Sequence, residues 1–368
     1  MAKIRSFFKR EPVFMISFLA AVISCFFVHP DAKYIDYLDF HTLALLYSLM
    51  VVVAGLRKAG VCTVLARTLC LRAKSTRSIG LVLVGLCFFS PMFFTNDVAL
   101  LTFVPFAIVV LGMTGRRQDL IRIIVLQTVA ANLGSMLTPV GNSKSLYLYS
   151  FYNIPFFTFL SITFPVWLLS FVVILAICLF TKRQPIIPYF EEDAVMNKKA
   201  LWVYLILFGL CMLTVLRFLD WPIMLAVILI VLLIFQRKTI LEADFMLLLT
   251  FVAFFVFAGN LARIDEVNHM LQSLLSGREY WVTILTSQLI SNVPAALLLS
   301  NFTGNMKALL LGVNIGSLGT PIASLASLIS LKFYAQTEGA DIGKFLLEFT
   351  IVNVSLLVLL SVFQAVIL

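Results

Sequence analysis

The stretch NLGSMLTPV (132–140) returns late in the chain as NIGSLGTPI (314–322). Each copy sets Asn-x-Gly-Ser-x-x-Thr-Pro inside an apolar run, and chance does not readily place that pattern twice in register. A proline there removes a backbone donor and interrupts a helix running through it. The chain therefore reads as a duplication, each half holding one broken helix. Three further matches fall in the same order. EPVFMISFLAAVISCF (11–26) lies over DWPIMLAVILIVLLIF (220–235), with Pro12 over Pro222. DFHTLALLYSLMVVVAGLRKAG (39–60) lies over DFMLLLTFVAFFVFAGNLARID (244–265), and FTNDVALL (94–101) over ISNVPAAL (290–297).

Hydrophobic residues make up 61% of the chain and charged residues 12%, against roughly 25% charged in a soluble domain. Apolar stretches of about 20 residues, the length that spans a bilayer, recur between short polar connectors. This is the composition of an all-α polytopic membrane protein. The net charge of +9 is no nucleic-acid footprint, because the basic residues gather at span ends. They include Lys3, Arg5, Lys9 and Arg10, then Arg57, Lys58, Arg67, Arg72, Lys74 and Arg77, then Arg116, Arg117 and Arg122, then Lys182 and Arg183. That is the positive-inside pattern, and it predicts a cytoplasmic N-terminus. Val13–Val28 follows the basic N-terminus without a small-residue cleavage site and reads as a retained span. The six cysteines lie in apolar stretches or a basic connector, so free thiols are expected.

The run from Ile79 to Gly112 carries one charge, Asp97. As one helix it would extend about 50 Å, well beyond the roughly 30 Å hydrocarbon core. Both flanks are basic, so a re-entrant hairpin fits, with Thr95, Asn96 and Asp97 at its tip. Symmetry predicts a second hairpin at 281–302, although that run is short enough to be an ordinary span. Spans are then expected near 13–28, 41–56, 119–150, 156–180, 200–217, 221–235, 244–260, 305–334 and 342–366. That makes about nine crossings, with the C-terminus outside and the two halves in opposite orientation. The first repeat covers 11–180, a connecting span 200–217, and the second repeat 220–368. Residues 60–74 and 262–277 occupy equivalent places and read either as interfacial amphipathic helices or as plain connectors.

Inverted repeats with interrupted helices place a binding site near the bilayer midplane. Its candidate residues are Thr95, Asn96, Asn142, Lys144, Ser291, Asn292 and Thr320 for substrate. For ion coupling they are Asn96, Asp97, Thr138, Pro139, Asn292, Thr320 and Pro321. Gln127, Asn132, Ser143, Ser145, Gln288, Asn314, Ser317 and Ser324 supply neutral polar groups around them. Asp97 reads either as an N-cap of the second hairpin arm or as a carboxylate suited to proton or sodium coupling. Lys144 reads as a fixed positive charge facing an anion, as a stand-in for a coupling cation, as the partner of Asp97, or as a snorkelling side chain.

TND (95–97), ANLGSMLTPVGN (131–142), SNV (291–293) and NIGSLGTPIASLASL (314–328) resemble the ion transporter superfamily of citrate transporters, divalent-anion:sodium symporters and arsenite permeases. The resemblance runs from about Glu11 to the end. It implies an elevator architecture and a homodimer, with 11–56 and 200–260 as scaffold and 78–180 and 281–368 as the moving unit. In the symporter branch two Ser-Asn-Thr tips hold substrate carboxylates and, with the helix breaks, sodium. By that likeness Thr95, Asn96, Ser291, Asn292, Thr138-Pro139 and Thr320-Pro321 carry over. Asp97 and Val293 depart from the tip pattern. So does Ser143-Lys144-Ser145, where the family commonly continues Pro-Gln-Asn. An Asp at the first tip is similar to the arsenite-permease side.

The expectation is a plasma-membrane secondary transporter of a small carboxylate or oxyanion, driven by sodium or protons, with no cofactor beyond Na+. A sodium/proton antiporter using Asp97, or an arsenite-type efflux permease, is the alternative. An enzyme is not expected, since the chain has three His, at span ends or in a connector, and no HExxH or GxSxG motif.

Overall fold

The duplicated motifs fold into two sets of helices with the same internal order. The computed structural model describes residues 12–113, 119–181, 183–184 and 196–367. The basic residues Lys3, Arg5, Lys9, Arg10, Arg116, Arg117 and Lys182 lie outside these. Among the described residues the regular elements are helical. The first set is α1 (Pro12–Phe27), α2 (Phe40–Lys58), α3 (Val61–Leu71), α4 (Thr76–Phe89), α5 (Asn96–Met113), α6 (Leu120–Gly134), α7 (Ser143–Phe151) and α8 (Phe156–Leu179). A connecting helix, α9 (Lys198–Val215), follows. The second set is α10 (Trp221–Phe235), α11 (Phe245–Ala262), α12 (Asp265–Leu275), α13 (Glu279–Ile290), α14 (Asn292–Leu299), α15 (Met306–Ile315), α16 (Leu325–Ala335) and α17 (Ile342–Ile367).

Six of these helices are long and apolar enough to cross a membrane: α2, α6 with its extension to Leu137, α8, α9, α11 and α17. The other expected crossings are shorter. Helices α1 and α10 have 16 and 15 residues, and 305–334 is split into α15 and α16.

Polar residues set the helix starts. Asp39 accepts from Thr42 N at 2.9 Å, and its counterpart Asp244 accepts from Leu247 N at 3.0 Å. Each cap satisfies an orphan donor in the first turn, worth about 1 kcal/mol. Both hairpins form. In the first, α4 ends in a short 3-10 turn, Ser90–Met92, and α5 returns. Helix α3 packs on both arms. In the second, Ser291 alone joins α13 to α14, with φ 76° and ψ 155°. The run does not continue as one straight span: Glu279, at the start of α13, shares a surface cleft with Asn301–Gly304, just past α14. Ordinary helical geometry would set these segments far apart.

The packing crosses between sets. Helix α4 lies on α6, and α13 lies on α15. Helix α5 packs on α6 and also on α16, while α14 packs on α15 and also on α7. Each returning arm therefore touches both its own broken helix and the far half of the other. One apolar core joins α4, α5, α6, α8, α16 and α17. A second joins α2, α7, α9, α10, α11 and α14. Helix α15 contributes to both.

Burial follows from position. The α6 span is 89% buried, but those of α8 and α17 are only 28% and 33% buried, so α6 is central and α8 and α17 form an apolar outer wall. In α3 the buried face is Cys62, Ala66 and Cys70. Its neighbouring Val61, Leu65, Leu69 stripe is covered less, with Leu65 exposed. In α12, Met270 and Leu274 are exposed. Each of these two helices links its long predecessor to the hairpin that follows.

Candidate functional site

Breaking α6 at Thr138-Pro139 and α15 at Thr320-Pro321 frees two new helix starts, those of α7 and α16. The hairpin tips free two more, those of α5 and α14. All four starts meet at one small cavity of about 20 Å³. Its walls are Asn96 and Asp97 of α5, the Asn142–Lys144 segment at α7, Asn292 and Val293 of α14, and Ser324 and Leu325 at α16. Leu247 of α11 completes the lining. The volume admits one water-sized occupant.

Asn96, Asn142, Lys144, Asn292 and Ser324 are buried. The Lys144 ammonium makes no hydrogen bond, and no ion pair within 4 Å, to any described residue. Asp97 lines the same cavity without a direct bond to Lys144. A helix start carries roughly half a positive charge. Four starts and one ammonium facing one carboxylate leave the cavity with positive potential.

Amide and hydroxyl side chains knit the two copies together around this point. Asn96 Nδ2 donates to Asn132 Oδ1 at 3.1 Å, and Ser324 Oγ donates to the same oxygen at 3.0 Å. In the matching half, Asn142 Nδ2 donates to Asn314 Oδ1 at 3.3 Å and to Ser135 Oγ at 3.0 Å. Asn142 Oδ1 accepts from Ser145 N at 2.8 Å, capping α7. The symmetry is incomplete, and one difference lies at Asn314. Asn314 Nδ2 donates to Ser145 Oγ at 3.1 Å, whereas the equivalent atoms, Asn132 Nδ2 and Ser327 Oγ, are buried and unbonded.

The remaining predicted site residues brace the breaks rather than line this cavity. Thr138 Oγ1 donates to Met92 O at 2.7 Å, pinning the first break to the first tip. Pro139 starts the 3-10 turn that follows. At the second break, Gln288 Nε2 donates to Gly316 O and Leu318 O at 2.9 and 2.8 Å, and its Oε1 accepts from Thr320 N at 2.9 Å. Thr320 itself is exposed and Pro321 half-buried. Ser291 Oγ donates weakly to Ala323 O at 3.4 Å. Gln127 is packed in the core and donates to Phe103 O at 3.0 Å.

Thr95 faces a second cavity of about 140 Å³, which shares Asp97, Asn142 and Ser143 with the first. Its outer end is lined by Arg57, Glu242 and Asp244. Sequence reasoning missed those three because they sit in charged connectors, where nothing distinguishes a cavity lining from a solvated end. Ser135 was missed although its Gly-Ser pair is repeated at Gly316-Ser317. The far end of α7 is tied down instead. His41 Nδ1 bonds Ser150 Oγ at 2.8 Å, and Tyr149 OH donates to Val215 O at 2.8 Å.

An all-helical polytopic bundle with interrupted helices facing one another across a buried polar site is the architecture of a membrane transporter. The chain belongs to the citrate transporter family, whose model matches residues 4–310. It is 34% identical over 297 residues to an uncharacterized transporter of Methanocaldococcus jannaschii, covering 80% of this chain and 81% of that one. It is 28% identical over 300 residues to the inner membrane protein YbiR of Escherichia coli, covering 80% of each chain. The protein is thus a multi-pass membrane transporter.

Proposed function

We propose that this transporter is a secondary active carrier of a small anion, a carboxylate or an inorganic oxyanion, coupled to sodium or protons. The observation that carries the reading is the meeting of four helix starts and the Lys144 ammonium at one cavity. Backbone N–H groups at such ends, together with the helix dipole, attract anions. Asn96 and Asn292 supply neutral donors beside them.

The 20 Å³ cavity is too small for a polyatomic anion, so substrate would reach it through the 140 Å³ cavity that adjoins Thr95, Asp97 and Ser143. In this reading the approach to the site is from the Arg57 end. The positive-inside pattern makes the Arg57 end cytoplasmic. We assign 11–56 and 200–260 to a scaffold and 78–180 and 281–368 to an elevator unit, and propose a homodimer.

The test is thermal stability of the purified protein with citrate, succinate, sulfate, phosphate and arsenite in turn, with sodium and pH varied. A ligand that binds only the folded state raises the unfolding temperature by mass action. A shift with one anion, lost in Lys144→Met and in Asn292→Ala, is the expected result. No shift with any anion at any sodium concentration or pH would overturn the reading.

One observation favours a second reading, a sodium/proton antiporter: Asp97 lines both cavities and so is placed to pick up and release a cation. A stability shift with sodium or pH alone, abolished in Asp97→Asn, would establish that reading in place of the first.

A further inference from the structure

Away from the central site, a groove of about 560 Å³ opens on the outer wall between α6, α8 and α17. That is the size of a pocket holding a substantial organic ligand. Its walls are apolar, built from Ile177 on α8 and Leu347 and Ile351 on α17. Leu347 and Ile351 are 63% and 57% exposed. They continue the apolar strips of α8 and α17, whose spans are only 28% and 33% buried.

The rim differs from the walls. Arg122, Lys344 and Glu348 stand there together. Arg122 Nε pairs with Glu348 Oε1 at 3.1 Å, which ties α6 to α17 and holds the guanidinium at the groove mouth. That bond uses one edge of the guanidinium. The ammonium of Lys344 makes no ion pair with any described residue. The rim thus presents two cations against one carboxylate, with donors left over, directly above an apolar channel.

We propose that this groove binds an anionic glycerophospholipid, its phosphate on Arg122 and Lys344 and an acyl chain along Ile177, Leu347 and Ile351. Charge and shape agree on that occupant. A soluble anion would leave the apolar channel unfilled. A zwitterionic lipid brings the same phosphate with its own quaternary ammonium, which a rim of two cations and one carboxylate disfavours. An anionic lipid keeps its full charge for a site where each basic residue contributes about 1 kcal/mol. The inference is independent of which solute the carrier moves.

The experiment is lipid retention by native mass spectrometry, with thermal unfolding in parallel, on the full chain purified in mild detergent. Phosphatidylglycerol, phosphatidylcholine and inorganic phosphate are added separately. The expected result is that phosphatidylglycerol alone is retained and raises the unfolding temperature. Lys344→Gln, which breaks no bond in the fold, should weaken retention about five-fold. Ile351→Trp, which fills the channel, should abolish it. Equal retention of phosphatidylcholine, or retention unchanged in both variants, overturns the proposal. So does a shift reproduced by inorganic phosphate, which would mark a simple anion site. A change of oligomeric mass in Ile351→Trp without loss of lipid would make the groove an interface between copies.

Discussion

Ser291 turns the second hairpin in a backbone conformation that a Cβ rarely adopts. Such a residue costs about 1–3 kcal/mol and persists where the surrounding structure over-determines it. Among the described residues its side chain makes one bond, the weak one to Ala323 O. Ser291→Gly is therefore expected to raise the unfolding temperature and Ser291→Val to lower it. Equal temperatures for all three would mean the tip relaxes freely. The broken symmetry of the polar network gives a second residue-scale prediction. Ser145→Ala removes a partner of buried Asn314 and should cost about 1–2 kcal/mol. Ser327→Ala removes a hydroxyl that bonds nothing in the fold and should be close to neutral. A comparable loss in Ser327→Ala would reveal a buried water bridging Ser327 and Asn132.

The hairpins and broken helices are held as elements by backbone contact as well as by side chains. A methyl group on Gly134 would run into the carbonyl of Phe88, so α4 and α6 approach as closely as they do only because position 134 has no Cβ. Gly134→Ala should cost about 1–3 kcal/mol, as overpacking does, measurable as a lower unfolding temperature. A further tie is sensitive to pH. Arg263, past the end of α11, holds Asp31, before α2, in a two-bond contact at 2.8 and 3.1 Å. The guanidinium pulls the Asp31 carboxyl below its ordinary range. A depressed carboxylate contributes its stability above the unfolded pKa and loses it as pH falls through the folded one. Asp31→Asn should therefore lower the unfolding temperature at pH 7 and make little difference well below about pH 4. An effect of the same size at both pH values would assign the contact to packing. The pair is exposed, so the difference should shrink in high salt.

At the scale of the molecule, the duplication matters because neither half can close the site alone. Asn132 of the first copy is bonded by Ser324 of the second, and Asn314 of the second by Asn142 of the first. The two charges at the centre, Asp97 and Lys144, both belong to the first copy; Val293 and Ala326 stand at the matching places. Removing Asp97 leaves the Lys144 ammonium buried beside the cavity without that opposite charge, which is more costly than removing both. Lys144→Met and Asp97→Asn should each lower stability, and the double variant should lower it less than their sum. Additive losses in thermal unfolding would mean the two charges do not sense each other.

Helix positions and both interruptions could be read from the chain, because apolar periodicity, Thr-Pro pairs and cap residues act locally. The repeated Asn-x-Gly-Ser-x-x-Thr-Pro named the breaks, and the one charge between Ile79 and Gly112 drew attention to the first tip. The roles within the site could not be read so, since they depend on which residues from distant segments face one another. Thr138 and Thr320 share a motif with the cavity residues yet face their hairpins. Arg57 and Asp244 look like ordinary span-end charges yet line the approach. Sequence determined where the helices stop, because stopping is a property of neighbouring residues. Only the tertiary structure decided that four of those ends point at one another, because that follows from how the two copies pack.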